Sequence, residues 1–177
     1  MSAEHDRTNP ARVVRQIDWE AVYADQMPRV YNFIRYRTQD DAVAEDLTAV
    51  TLEKAWRHRH RYRRDQGAFS TWLFTIARNV VIDHLRRTQT TVPLDAAPPP
   101  SDHRSVEDEL ERHDDRQRLG RLLSQLPARE QELIAFKYGA GLANRAIARL
   151  SGLSETNVGT ILHRVVGRLR AQWEQEA

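Results

Sequence analysis

The sequence predicts an all-α chain in which two small helical domains are joined by a flexible linker, and three observations carry that prediction. Apolar residues recur at intervals of three and four on both sides of the chain's middle, and no segment sustains the strict alternation of a half-buried strand. Four of the seven prolines fall within Thr88 to Ser105, TQTTVPLDAAPPPSDHRS, a stretch with almost nothing to bury. Glycines fall mostly at breaks between the apolar segments. The expected organisation is a disordered segment 1–16, a first domain 17–87, the linker 88–105 and a second domain 106–177. A chain of 177 residues leaves each domain a modest core.

In chain order, the first domain reads as three helices. Val22, Val30, Phe33 and Ile34 mark one, Val43, Leu47, Val50 and Leu52 the next. The third buries Trp72, Leu73, Ile76, Val80 and Leu85, with Ser70 or Thr71 as its cap. After the linker come Leu119, Leu122, Leu123 and Leu126, then Leu133, Ile134 and Phe136. The clearest short motif follows, GLANRAIARLSGLSETNVGTILHRVVGRLR, from Gly141 to Arg170. A short helix, about Ala143 to Leu150, buries Ile147 and Leu150. Ser151-Gly152-Leu153 makes a tight turn, and Ser154 caps a second helix whose inner face is Val158, Ile161, Leu162, Val165 and Leu169.

Composition narrows the function. With no cysteine there is neither a disulfide framework nor a thiolate metal site, which fits a reducing interior. The N-terminus has no apolar segment before a small-residue cleavage site, and no apolar run approaches the length of a membrane span, so a soluble, unexported, cytoplasmic protein is expected. Net charge is only +2, but it is unevenly spread: residues 1–91 carry 15 Lys/Arg against 12 Asp/Glu, residues 92–125 carry 5 against 8, and residues 126–177 carry 7 against 5. Two mildly basic blocks flank an acidic middle.

The basic charge of the first block is concentrated in KAWRHRHRYRR, Lys54 to Arg64, which holds six Lys/Arg, two His and two aromatics. Directly after it, the third helix presents Arg78, Asn79, Asp83, Arg86 and Arg87 opposite its apolar face. Rings beside cations suit single-stranded nucleic acid, where bases stack and phosphates need neutralising. The same rings, Trp56, Tyr62, Phe69 and Trp72, would equally serve as core, since helix-spaced aromatics usually pack inward. His58 and His60, spaced by two, project to different helical faces and have no convenient third ligand, so no metal site is expected.

In the second block, the outward face of the last helix carries Glu155, Asn157, Thr160, His163, Arg164 and Arg168. A helix-turn-helix sets such residues against base edges in the major groove; an ordinary helical hairpin would leave them facing water. On this motif alone, a stand-alone helix-turn-helix regulator that binds duplex DNA remains open. So does an enzyme whose acids Asp40, Asp41, Glu45 and Asp46 hold a divalent cation, although no glycine-rich phosphate loop or positioned His base accompanies them.

These two blocks, in this order, resemble an extracytoplasmic-function (ECF, group IV) sigma factor of bacterial RNA polymerase, from about Ile17 to Trp173. AEDLTAVTLEKAWR, Ala44 to Arg57, resembles conserved region 2.2, and FSTWLFTIARNVVIDHLRR, Phe69 to Arg87, resembles regions 2.3 and 2.4. LSQLPAREQELIAFKYGAGL, Leu123 to Leu142, resembles region 4.1, and the helix-turn-helix resembles region 4.2.

The resemblance implies a region 2 helical bundle, a region 4 helix-turn-helix and no cofactor. It implies docking on the clamp helices of the beta-prime subunit of core polymerase through Asp46, Leu47, Glu53, Trp56 and Arg57, with region 4 on the flap of the beta subunit. Tyr62, Arg63, Arg64, Phe69, Ser70, Trp72, Arg78, Asn79, Asp83, Arg86 and Arg87 would melt the minus-10 element and hold a flipped base. Arg145, Ser154, Glu155, Thr156, Asn157, Thr160, His163 and Arg164 would read the minus-35 element. An anti-sigma protein is the implied regulator, and polymerase supplies the chemistry, so the chain itself is not an enzyme. Two positions depart from the family pattern. Ala49-Val50 stands where a Gln-Glu pair is common, and Gly159 and Ile161 stand where Lys or Arg is frequent.

Overall fold

The computed structural model describes residues 19–63, 68–91 and 108–175, all helices and short connections with no strand among them. The expected segment 1–16, residues 92–105 of the expected linker, and Arg64 lie outside these residues. Seven α-helices run in order: α1 Trp19–Thr38, α2 Asp41–Arg57, α3 Phe69–Thr91, α4 Asp108–Ser124, α5 Ala128–Ile134, α6 Asn144–Ser151 and α7 Glu155–Gln175. A 3₁₀ turn, Arg59–Arg61, follows α2, and a π turn, Ala135–Gly139, extends α5.

Helices α1 to α3 bury Val30, Phe33 and Ile34 against Ala44, Leu52 and Ala55 and against Leu73, Phe74, Ala77 and Val81. Asp40 starts α2, its carboxylate accepting from the Val43 amide at 2.9 Å. The chain turns into it through Gln39 at φ 57°, a left-handed conformation uncommon for a residue other than glycine, and the Gln39 side-chain amide donates to Tyr36 O at 2.7 Å. Helix α3 is longer at both ends than its sequence signals suggest. It begins at Phe69, so Ser70 and Thr71 lie inside its first turn rather than capping it, and it runs to Thr91, past the expected start of the linker.

The second unit follows the expected motif closely. Gly152 ends α6 in the left-handed conformation, φ 71°, its amide donating to Ala148 O at 2.9 Å, where a side chain on the backbone would be strained. Two residues on, the Ser154 hydroxyl accepts from the Asn157 amide at 3.2 Å and starts α7. Val158, Leu162 and Val165 then point inward with Ile147 and Leu150 of α6.

The two units are packed on each other and share one continuous core. Phe136, in the π turn, stacks on Phe33 of α1 with ring centroids 4.6 Å apart, and meets Phe74 of α3 edge-on at 6.4 Å. Around these rings, Arg29 donates to Ala140 O at 2.9 Å, and Arg37 donates to Ala128 O at 3.0 Å and to Gln131 at 3.2 Å. Burial pushes the Arg37 guanidinium below its usual pKa, against the opposing pull of the Glu132 carboxylate.

Candidate nucleic-acid interface

The residues expected to meet polymerase gather on the outer face and C-terminal end of α2. Asp46 is exposed, Leu47 is half-buried against the core, and Glu53 pairs with Arg57 one turn later at 2.6 Å. Trp56 is 45% exposed, and the Arg59 guanidinium lies over its ring at 4.2 Å while donating to the Trp56 carbonyl at 2.9 Å. That is a ring held at the surface by a cation, which answers for Trp56 the question of core against surface. Two of the four acids considered as a cation site have other partners. Asp40 caps α2, and Asp41 takes the Arg35 guanidinium and accepts from the Tyr31 hydroxyl.

The basic run is not one helix. It leaves α2 at Arg57, passes through the 3₁₀ turn and reaches Tyr62 in extended conformation. The His58 ring nitrogen Nδ1 lies 3.0 Å from Lys54 O, which ties that imidazole to the helix end. Among the described residues no three His, Cys, Asp or Glu side chains gather as a metal site.

Tyr62, Phe69 and Trp72 form a three-ring cluster, with centroids 5.3 to 5.5 Å apart and every ring half-buried. The cluster brings Tyr62, at the end of the 3₁₀ turn, against Phe69 and Trp72 at the start of α3. Ser70 lies half-buried beside them. Along α3, Asn79, Asp83, Arg86 and Arg87 keep to a common side, with Asp83 and Arg86 paired at 3.3 Å. Arg78 departs from this set. It turns toward the second unit, where both oxygens of Glu132 receive its guanidinium at 2.7 and 3.2 Å.

On α7, Glu155, Thr156, Asn157, Thr160 and His163 are exposed, with Arg145 exposed on α6. The Thr160 hydroxyl donates back to Thr156 O at 3.0 Å. Arg164 pairs with Glu130 at 3.1 Å, and Arg168 binds the same carboxylate through its other oxygen. Gly159 meets only the Asn144 amide, 3.5 Å from where a Cβ would stand.

Sequence reasoning missed Glu130 and Glu132. Both are buried acids of region 4.1 that hold arginines from elsewhere, Glu130 from α7 and Glu132 from α3. The available signal was two acids within Ala128–Ile134, a short helix that leads directly into the apolar run Leu133, Ile134, Ala135 and Phe136 and carries one cation, Arg129. A buried carboxylate requires a cation partner, but its identity is a tertiary matter.

Residues 22–91 match the model for sigma-70 region 2, and residues 116–169 match that for sigma-70 region 4. The ECF RNA polymerase sigma factor SigL of Mycobacterium tuberculosis is 32% identical over 153 residues, covering 85% of each chain. The chain belongs to the ECF sigma factor family. RpoE of Cereibacter sphaeroides, another ECF sigma factor, is 28% identical over 177 residues, covering 96% of this chain and 98% of its own. Among solved structures, the fold is similar to that of the sigma factor RpoE in complex with the anti-sigma factor NepR from Bartonella quintana, with a TM-score of 0.68 at 23% identity, over 89% of this chain and 97% of that one. An ECF sigma factor directs RNA polymerase to promoters, and the region 2 match accounts for a whole domain that a stand-alone regulator would leave without a role. Among the described residues no helix is long and apolar enough to cross a membrane.

Proposed function

We propose that this sigma factor docks on core polymerase through the outer face of α2, opens the minus-10 element with the segment between Tyr62 and Trp72 and the outer stripe of α3, and reads the minus-35 element with the start of α7. The observation that carries this is the ring cluster Tyr62, Phe69 and Trp72, which sets Tyr62 against the head of a helix bearing Asn79. Unstacking a base costs a few kcal/mol, and stacking on an aromatic with hydrogen bonds to the exposed base edge offsets it. A ring cluster at the mouth of such a pocket provides the stacking surface, and Asn79, exposed on the same helix, provides an amide to read the base.

The chain would supply specificity and polymerase the phosphoryl transfer, so no catalytic residue or cofactor is assigned, and its place of work is the cytoplasm. With Ala49-Val50 on the docking helix, the polar contacts to the clamp fall to Asp46, Glu53 and Arg57 beside the Trp56 ring. An anti-sigma protein that covers these faces is the matching regulator.

The test is transcription from fragmented genomic DNA by bacterial core polymerase, with and without the protein, mapping 5′ ends. Discrete new starts sharing two upstream elements are expected. No new starts, from folded protein and a polymerase that responds to its housekeeping factor, would overturn the reading.

A further inference from the structure

One line of side chains runs along the outer side of α3. Thr75, Asn79, Ile82 and Arg86 are all exposed, and at about 100° per residue they fall within about 60° of one another around the helix axis. Three of the four are polar. Ile82 is the exception, 40% exposed between the Asn79 amide and the Arg86 guanidinium. We propose that Ile82 is a specificity-determining residue of the minus-10 contact, packing on the 5-methyl group of a thymine in the base pair next to the base that Asn79 reads. This rests on the proposed function, since it assigns a further reader to the same face of α3.

The packing of α3 does not call for an isoleucine at this position. Leu73, Phe74, Ala77, Val80 and Val81 fill the inner side of the helix, all buried, and Ile76 and Leu85 flank them half-buried. A β-branched side chain is also a poor helix former, and facing water it recovers little of that cost by burial. Single exposed apolar residues are ordinary on a protein surface. What distinguishes this one is its place, in the middle of the line that carries the proposed DNA contacts.

Position along the helix decides which part of the DNA this side chain meets. At the head of α3 the rings Tyr62, Phe69 and Trp72 offer stacking to unpaired bases. At its far end Arg86 and Arg87 are exposed cations suited to phosphates. Ile82 lies between them, three residues beyond Asn79, which is about 4.5 Å along the axis against a step of about 3.4 Å per base pair. It therefore faces the first pair that stays stacked beyond the base held by Asn79. In the major groove of such a pair thymine alone offers an apolar group, its C5 methyl, and an aliphatic side chain discriminates by covering it. The Asn79 amide reads polar edges, and Ile82 supplies the contact that an amide cannot make.

The test uses holoenzyme assembled from the full chain and bacterial core polymerase, on a promoter duplex taken from the mapped transcription starts. A base-substitution scan with Asn79→Ala first locates the pair that Asn79 reads. Each minus-10 thymine, on either strand, is then replaced in turn by deoxyuridine, which lacks only the 5-methyl group, and formation of the promoter complex is measured by electrophoretic mobility. Replacement in the adjoining pair is expected to weaken the complex about three- to five-fold, the size of one buried methyl group. Ile82→Ala, with helix content checked by circular dichroism, should weaken the thymine complex by a similar factor and bind thymine and deoxyuridine templates alike at that pair. Ile82→Val, which keeps a branched apolar surface, should retain the difference. A minus-10 element with no thymine in that pair, a complex indifferent to the methyl group, or a deoxyuridine effect that persists in Ile82→Ala would each overturn the proposal and leave the promoter function standing. So would an Asn79→Ala scan that relaxes no position, or an Ile82→Ala protein that loses core-polymerase binding instead. If no start is mapped at all, the function on which the proposal rests falls with it.

Discussion

Phe33 and Phe136 offer a thermodynamic measure of how strongly the two units are joined. Each ring is essentially fully buried, and they stack at 4.6 Å with an interplanar angle of 11°. Truncating a buried Phe to Ala costs about 3–5 kcal/mol, part of it the cavity left behind. Phe33→Leu and Phe136→Leu retain most of the volume and should each cost less, about 1–2 kcal/mol. The ring pair itself is worth about 0.5–1.5 kcal/mol beyond burial, and this part is lost once, whichever partner is changed. The double variant should therefore be less destabilised than the sum of the singles by about 1 kcal/mol, in urea denaturation of the full chain followed by circular dichroism. The singles should also differ in character from mutations inside one unit, because loosening the shared core invites separate transitions of the two units. Additivity within about 0.3 kcal/mol would refute the reasoning, since it is what independent, non-touching sites give. The same result would mean that Phe136 is buried within region 4 alone in solution.

Ser154→Ala removes the α7 cap and should cost about 1 kcal/mol, read as a fall of about 2–4 °C in the thermal midpoint; an unchanged midpoint would count against the cap. Trp56→Ala should leave the thermal midpoint within a degree or two, because the ring is 45% exposed, yet weaken core-polymerase binding by about tenfold or more, as loss of an interface aromatic does. Equal losses of stability and binding would mark Trp56 as structural. The Tyr31 phenol is held above its ordinary pKa of 10.0, chiefly by burial and then by the charge of Asp41. Its folded form thus binds the proton more tightly than the unfolded chain, so its contribution to stability is complete below about pH 10 and is lost as pH rises through the raised value. Tyr31→Phe should remove that step from the stability profile above pH 10, and a step of unchanged size would assign it to another group.

The parts of this molecule legible in its sequence are those decided locally. Gly152 and Ser154 sit two residues apart, and a left-handed glycine followed by a hydroxyl cap stops one helix and starts the next whatever surrounds them. The inner face of α7 was equally plain, because Val158, Leu162 and Val165 are set by helical period alone. Periodicity says which residues are buried but not what buries them. Phe136 and Phe33 each read as core of their own helix, and nothing within a window of one helix says that they stack on each other. Arg78 illustrates the same limit for charge. It lies 54 residues from Glu132, so its place on the polar side of α3 pointed to solvent or DNA, while the fold supplied a nearer acid. The early start of α3 has a smaller cause. Ser70 and Thr71 are good cap types, yet the ring contacts of Phe69 with Tyr62 and Trp72 draw the helix start ahead of them.

The two buried acids of region 4 differ in what they join: one braces its own unit, the other ties it to region 2. Glu130 binds Arg164 and Arg168, all within one unit, so those bonds survive any movement of region 4 relative to region 2. They also tie α7 to the start of α5: Arg164 and Arg168, one turn apart, both reach the same carboxylate. Glu132 lies two residues further along the same helix, and its partner belongs to the other unit. Forming that pair takes water from both groups, so its net strength reflects a balance of desolvation and attraction. Such a pair adds little net stability while making the packing selective for the correct mating of α3 with α5. The stacked phenylalanines then supply the attraction, Gly139, where a Cβ would stand 2.9 Å from Asn32 O, the close fit, and Glu132 the choice of partner.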